Sequence, residues 1–170
     1  MLLSIILLSV IAFLLFLLSM VWPPDSPWAP WWRTNTKTAK AICKLAKIDS
    51  KDVVYDLGCG DGEVLIQSAK RGARGVGIEI DPSRVFIAKV RIFINNFSEK
   101  ILIKRNDFFK EKYLDATVII VYLVPKTLDK LLPRFRKQLK KGTRIVSYRY
   151  EMKMPLKGID KENNIRLYII

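Results

Sequence analysis

Histidine is absent from the 170-residue chain. This removes imidazole as a general acid or base, the Ser-His-Asp and Cys-His catalytic sets, and every histidine-ligated metal site. Cysteine is scarce too. Cys43 and Cys59 form no Cys-x-x-Cys pair, and so sparse a content in a basic chain points to a reducing compartment without a disulfide framework. No metal site is expected. No repeat recurs at a period of roughly 20 to 50 residues, which excludes a solenoid. Charge is missing from Met1 to Pro24, so all 30 Lys and Arg and all 16 Asp and Glu fall from Asp25 onward. The remainder suffices for one domain with a real core.

The uncharged stretch contains Leu2 to Val21, LLSIILLSVIAFLLFLLSMV, in which Ser4, Ser9 and Ser19 are the polar side chains. At about 1.5 Å per residue such a helix matches the roughly 30 Å hydrocarbon core of a bilayer. It lacks the basic n-region and small-residue cleavage site of a signal peptide, so an uncleaved transmembrane anchor over residues 1–22 is expected. Trp22, Trp28, Trp31 and Trp32 follow among prolines, a composition suited to the headgroup layer, and residues 23–35 read as an interfacial linker. Arg33, Lys37, Lys40, Lys44 and Lys47 follow the span and nothing basic precedes it. The positive-inside rule therefore puts the N-terminus outside and residues 36–170 in the cytoplasm, or on the matrix side of the inner membrane in a mitochondrion.

From Asp52 onward short apolar runs alternate with amphipathic stretches. VVYDLG, GVGIEI, ILIKRN, ATVIIVYLV and TRIVSY read as strands, as does a last one near Ile165 to Ile169. Helices are expected at roughly Thr36 to Lys47 and over GEVLIQSAKR, PSRVFIAKVRIFINNF and KTLDKLLPRFRKQLKK, with Pro133 marking a kink or a late start in the last. Runs as apolar as VIIVYLV need cover on both faces, so the fold class is α/β, a parallel sheet flanked by helices.

The chemistry lies in Val53 to Glu63, VVYDLGCGDGE, a strand that opens through Gly58, Gly60 and Gly62 into a helix. Glycine permits positive φ and close approach of a ligand at the carboxyl edge, where open α/β sheets bind cofactors. The second strand ends in Glu79, placed to accept hydrogen bonds from ribose hydroxyls. A nucleoside cofactor is implied. A dinucleotide fingerprint would need its third glycine at position 63, where the chain has Glu63, and a carboxylate beside a pyrophosphate is unfavourable.

Asp-x-Gly-x-Gly-x-Gly with an acid closing the next strand resembles the first motifs of class I S-adenosylmethionine-dependent methyltransferases, which implies a Rossmann-like sheet. The resemblance implies that Asp56 orients the loop near the methionine amino group, that Asn106-Asp107 contacts the adenine, and that Tyr122 to Pro125 faces the transferable methyl. Tyr122 is then the catalytic candidate, and Asp56, Gly58, Gly60, Gly62, Glu79 and Asp107 the cofactor set. With the apolar N-terminal segment, Thr34 and Thr36 before a helix, GVGIEIDP, NDFFK and RIVSYRYEM, the chain is similar to the small membrane-associated protein-lysine methyltransferases of adenine nucleotide translocase and the ATP synthase c-subunit and their prokaryotic relatives. Cys59 stands where serine is more usual in that family, and Arg33-Thr34 where a Val-Pro-Thr-like stretch is expected. Thr34, Thr36 and Glu151 are rim candidates.

The resemblance implies a membrane-protein substrate with a surface lysine. Lys126, Lys130, Arg134, Arg136, Lys137, Lys140, Lys141 and Arg144 against Asp129 form a basic face suited to anionic headgroups. Nucleic acid competes for such a face. Against it, the Asn/Asp-Pro-Pro-Tyr element of amino-directed nucleobase methyltransferases is missing. A lipid-headgroup or lipophilic small-molecule methyltransferase and a non-catalytic basic membrane scaffold remain the alternatives.

Overall fold

The computed structural model describes residues 2–21 and 33–170. The tryptophan and proline stretch 22–32, and with it most of the expected linker, lies outside the described residues. Helix α1 runs from Leu2 to Val21, 20 residues without a charge, and its described side chains extend from Leu3 to Leu17. Among the described residues no helix is long and apolar enough to cross a membrane. The expectation of a spanning helix is therefore met only as far as an uncharged helix in the expected place.

Helix α2 (Thr36–Leu45) starts at Asn35, whose side chain accepts from Thr38 N and so satisfies a donor of the first turn. Strand β1 (Val53–Leu57), helix α3 (Glu63–Ala69), strand β2 (Arg74–Glu79), helix α4 (Pro82–Ile94) and strand β3 (Ile101–Arg105) follow. Strand β4 (Val118–Val121), helix α5 (Pro125–Gln138) and strands β5 (Arg144–Tyr148), β6 (Leu156–Asp160) and β7 (Ile165–Ile169) complete the order. The sheet runs β3-β2-β1-β4-β5-β7-β6, with β3, β2, β1, β4 and β5 mutually parallel and β7 antiparallel to both β5 and β6. The parallel sheet of the sequence reading thus ends in an antiparallel pair, one strand of which, β6, lacks a sequence signal because its side chains are half-buried or exposed.

β1 and β4 are buried at every position, as their apolar runs require. One core layer joins Ile42, Leu65, Ala88 and Ile92 from α2, α3 and α4 to the sheet; the other joins Leu128, Leu131 and Phe135 of α5 with Tyr113 to its opposite face. Pro133 neither delays α5 nor ends it: the helix starts at Pro125 and continues past Pro133, which sits on the exposed side. Arg144 leaves the expected basic face. Its guanidinium caps the carboxyl end of α2 through Ala46 O (2.5 Å) and Lys47 O (3.2 Å) and pairs with buried Asp52.

Candidate active site

The parallel strands place the β1, β2, β3 and β4 exits side by side along one carboxyl edge, and Asp56, Gly58, Gly60, Gly62, Glu79, Asp107 and Tyr122 lie at or next to those exits. The glycine loop is anchored on the neighbouring strand. Gly58 N donates to Ile78 O (2.8 Å), and Gly60 N to the Glu79 carboxylate (3.0 Å). Gly58, Gly60 and Gly62 all have positive φ, at 81°, 54° and 78°, so each needs the freedom that glycine supplies. Gly62 is the residue before α3, so the turn presents backbone at the start of a helix.

Glu79 is buried and serves as a hub. Besides Gly60 N, it accepts from Ile80 N (2.9 Å) and Asp81 N (3.0 Å). A carboxylate has about four acceptor sites, so capacity for a hydroxyl remains. Asp81 caps α4 through Ser83 N and Arg84 N.

Asp56 is buried at the end of β1, and among the described residues no donor reaches its carboxylate. Burial pushes its pKa up to about 7, with Glu79 and then Asp61 adding like-charge repulsion. A buried acid among acids without a cation of its own is suited to a cationic ligand. S-adenosylmethionine carries an ammonium and a sulfonium together with ribose hydroxyls, so the residues present fit it: Asp56 toward positive charge, Glu79 toward the ribose, and the glycine turn against the chain between them.

Asp61, between Gly60 and Gly62, is drawn into a clamp. It pairs with Arg91 of α4 (2.5 Å) and Arg33 (2.6 Å) while accepting from Glu63 N (3.3 Å). Arg91 also pairs with buried Glu63, which Gln67 and the Thr36 hydroxyl contact as well. Burial raises the Glu63 pKa, but these hydrogen bonds outweigh it and hold the carboxyl below its ordinary range. Thr36 is thereby a packing partner, and Glu151 pairs with Arg166 (3.2 Å). At the β3 exit, Asp107 folds one carboxylate oxygen onto Phe109 N (2.8 Å). It stands two strands from the glycine loop, with β2 between.

Tyr122 follows β4 directly. Its ring lies 4.5 Å from that of Tyr148 and 6.2 Å from that of Tyr150, with the Arg149 guanidinium 5.6 Å from its centroid. The Tyr122 hydroxyl is shielded from solvent and has no hydrogen-bond partner. Burial raises its pKa, and Arg149 opposes that rise. Sequence reasoning missed the Tyr148, Arg149 and Tyr150 cluster, Arg91 and Gly77. The alternation in YRY was visible, but its convergence on Tyr122 depends on the β4 and β5 pairing. At Gly77 a Cβ would meet Ile103, Cys59 and Leu65 at 2.5 to 2.8 Å, so its glycine is a packing requirement.

The sheet, the glycine loop and the acid closing β2 define a class I S-adenosylmethionine-dependent methyltransferase. Residues 56–155 match the model of the ANTKMT methyltransferase domain, and the chain belongs to that family. A protein-lysine N-methyltransferase of Saccharolobus islandicus is 35% identical over 136 residues, 79% of this chain and 83% of that one. The adenine nucleotide translocase lysine N-methyltransferase of Mus musculus is 30% identical over 100 residues, 58% of this chain and 44% of its own length. Among solved structures, an RNA methyltransferase from Salinibacter ruber in complex with S-adenosyl-L-homocysteine superposes with a TM-score of 0.79 at 34% identity, covering 82% of this chain and 94% of that one.

Proposed function

We propose that the protein is a membrane-anchored lysine N-methyltransferase that moves a methyl group from S-adenosylmethionine to the ε-amine of a lysine in a membrane protein. The observation that carries this reading is the aromatic exit of β4, Tyr122 beside Tyr148 and Tyr150, on the edge that holds the glycine loop. Such a wall suits an aliphatic amine. The cofactor supplies an electrophilic methyl for in-line displacement, so the chain's residues need to hold, align and dry the reactants. A protonated lysine has no lone pair to attack, so the acceptor held at these rings must release its proton before displacement. The names of the Saccharolobus and mouse relatives support a lysine acceptor.

The Salinibacter structure carries an RNA methyltransferase name, which favours a second acceptor. Here the β4 exit reads Tyr122-Leu123-Val124-Pro125, without the Asn/Asp-Pro-Pro-Tyr element of amino-directed nucleobase enzymes.

Anchoring is supported by α1, a helix without a charged residue whose described side chains, Leu3 to Leu17, are exposed and almost all apolar. The exposed Phe86, Val90, Phe93 and Ile94 on one face of α4 are also suited to a lipid boundary. Lys126, Lys130, Arg136, Lys137, Lys140 and Lys141 remain exposed for anionic headgroups. The basic residues after α1 support an inward-facing catalytic domain. A cysteine added at the N-terminus tests this orientation with an impermeant thiol reagent and should label in intact cells; Cys43 is fully buried and unsuitable as the reporter.

The acceptor is tested by incubating the full chain with methyl-labelled cofactor and membranes of its own source. The label should enter methyl-lysine of a small integral membrane protein. Label confined to the lipid extract or to RNA would overturn the reading.

A further inference from the structure

β5 ends at Tyr148, and the chain then makes a three-residue turn: Tyr150 N donates to Tyr148 O (2.9 Å) with Arg149 at the corner, φ 66°. A side-chain-bearing residue at that φ is strained, and such strain persists where surrounding contacts over-determine it. Here they do. Arg149 N donates to Asn164 O (2.8 Å), Arg166 donates to Arg149 O (3.0 Å), and Ser147 Oγ donates to Tyr150 O (2.6 Å). This bracing holds the Arg149 side chain over two rings, its guanidinium 5.6 Å from the Tyr122 centroid and 5.5 Å from that of Tyr148. The guanidinium is nonetheless on the exposed side of the cluster, tied there by a hydrogen bond with the Tyr148 side chain that an incoming cation would have to replace. Beneath it lies the solvent-shielded, unpartnered Tyr122 hydroxyl, an acceptor awaiting a donor.

We infer that Tyr122, Tyr148 and Tyr150 form a cation-binding cage for the acceptor's alkylammonium group, and that Arg149 occupies this cage as a resident cation which the acceptor displaces. The inference rests on the lysine reading for the identity of the acceptor and goes beyond it in naming the acceptor site and its gate. The rings attract any compact cation over their faces. An ammonium adds N–H donors for the Tyr122 hydroxyl, whereas each methyl transferred makes the group larger and less hydrated. Displacement of one cation by another keeps the rings covered, so the site stays screened from water when no acceptor is present.

The test uses the full chain in detergent micelles saturated with S-adenosylhomocysteine, with choline and its uncharged isostere 3,3-dimethylbutan-1-ol as probes and tyrosine fluorescence as readout. Arg149→Gly removes the guanidinium and suits the left-handed backbone, and it should bind choline at least about threefold more tightly than wild type while leaving the isostere unchanged. Arg149→Asn, also tolerant of that φ, should do the same. Adding Tyr148→Leu to Arg149→Gly should erase the preference for choline. The cage is overturned if neither Arg149 variant gains affinity, if choline and the isostere gain equally, or if the preference survives Tyr148→Leu. Should the cage pass while labelled membranes contain no methyl-lysine, the cage stands and the lysine acceptor falls; methyl-lysine without choline preference gives the reverse.

Discussion

Asp56 offers a direct test of the buried-acid site, because its carboxyl is displaced from the ordinary 3.8 to about 7 by burial and by Glu79 and Asp61. Between those two values the folded chain keeps a proton that the unfolded chain has lost. Its stability therefore falls as pH rises through that interval and is flat above it. At about 1.4 kcal/mol per pH unit, the interval amounts to about 4 kcal/mol, present as a cost above pH 7 and absent near pH 4. Asp56→Asn retains the shape and cannot ionise, so without cofactor the variant should be more stable than wild type at pH 8, by about 10 °C in Tm for a domain of this size, and equal to it near pH 4. It should also bind S-adenosylhomocysteine more weakly, since the variant offers no carboxylate to the ligand's ammonium. Thermal melts of both proteins from pH 4 to 8.5, in one detergent with and without ligand, provide the comparison. Parallel melting profiles, or unchanged ligand affinity in the variant, would refute the reasoning.

Glu79→Ala should weaken cofactor binding by about 1.5 to 3 kcal/mol in calorimetry and loosen the loop it holds at Gly60, whereas tight binding of NAD by the wild type would contradict the assignment. Gly77→Ala should lower stability by about 1 to 3 kcal/mol in denaturant titration, since the new methyl meets Cys59, Leu65 and Ile103 at once. Arg91→Ala leaves buried Glu63 without its cation and Asp61 with Arg33 alone, and should cost about 3 kcal/mol at neutral pH. The Glu63 pKa is depressed in the fold, so this stabilisation is present above 4.5 and fades as pH falls through the folded value; the two proteins should converge in melts at low pH. Tyr122→Phe should lower turnover while sparing cofactor affinity in a labelled-methyl assay.

What the linear chain determined was local. Apolar runs such as Val118 to Val121 have no stable place except between two layers, and the amphipathic period of α4 and α5 supplies those layers. Three glycines at alternate positions and an acid closing the next strand announce a cofactor turn because few other sequences tolerate that backbone. Elements without a period, such as half-exposed β6, left no such mark. Tertiary structure decided everything that depends on neighbours distant in sequence. Arg91 becomes a clamp only once α4 lies against the glycine turn that opens α3. Arg144 becomes a helix cap only when β5 reaches the end of α2. The elevated pKa of Asp56 requires Glu79 and Asp61 in the same buried corner. Tyr148, Arg149 and Tyr150 are surface-like residues in the sequence, and they converge on Tyr122 because parallel pairing sets Val121 against Ser147, so that both strands release their chains at the same edge.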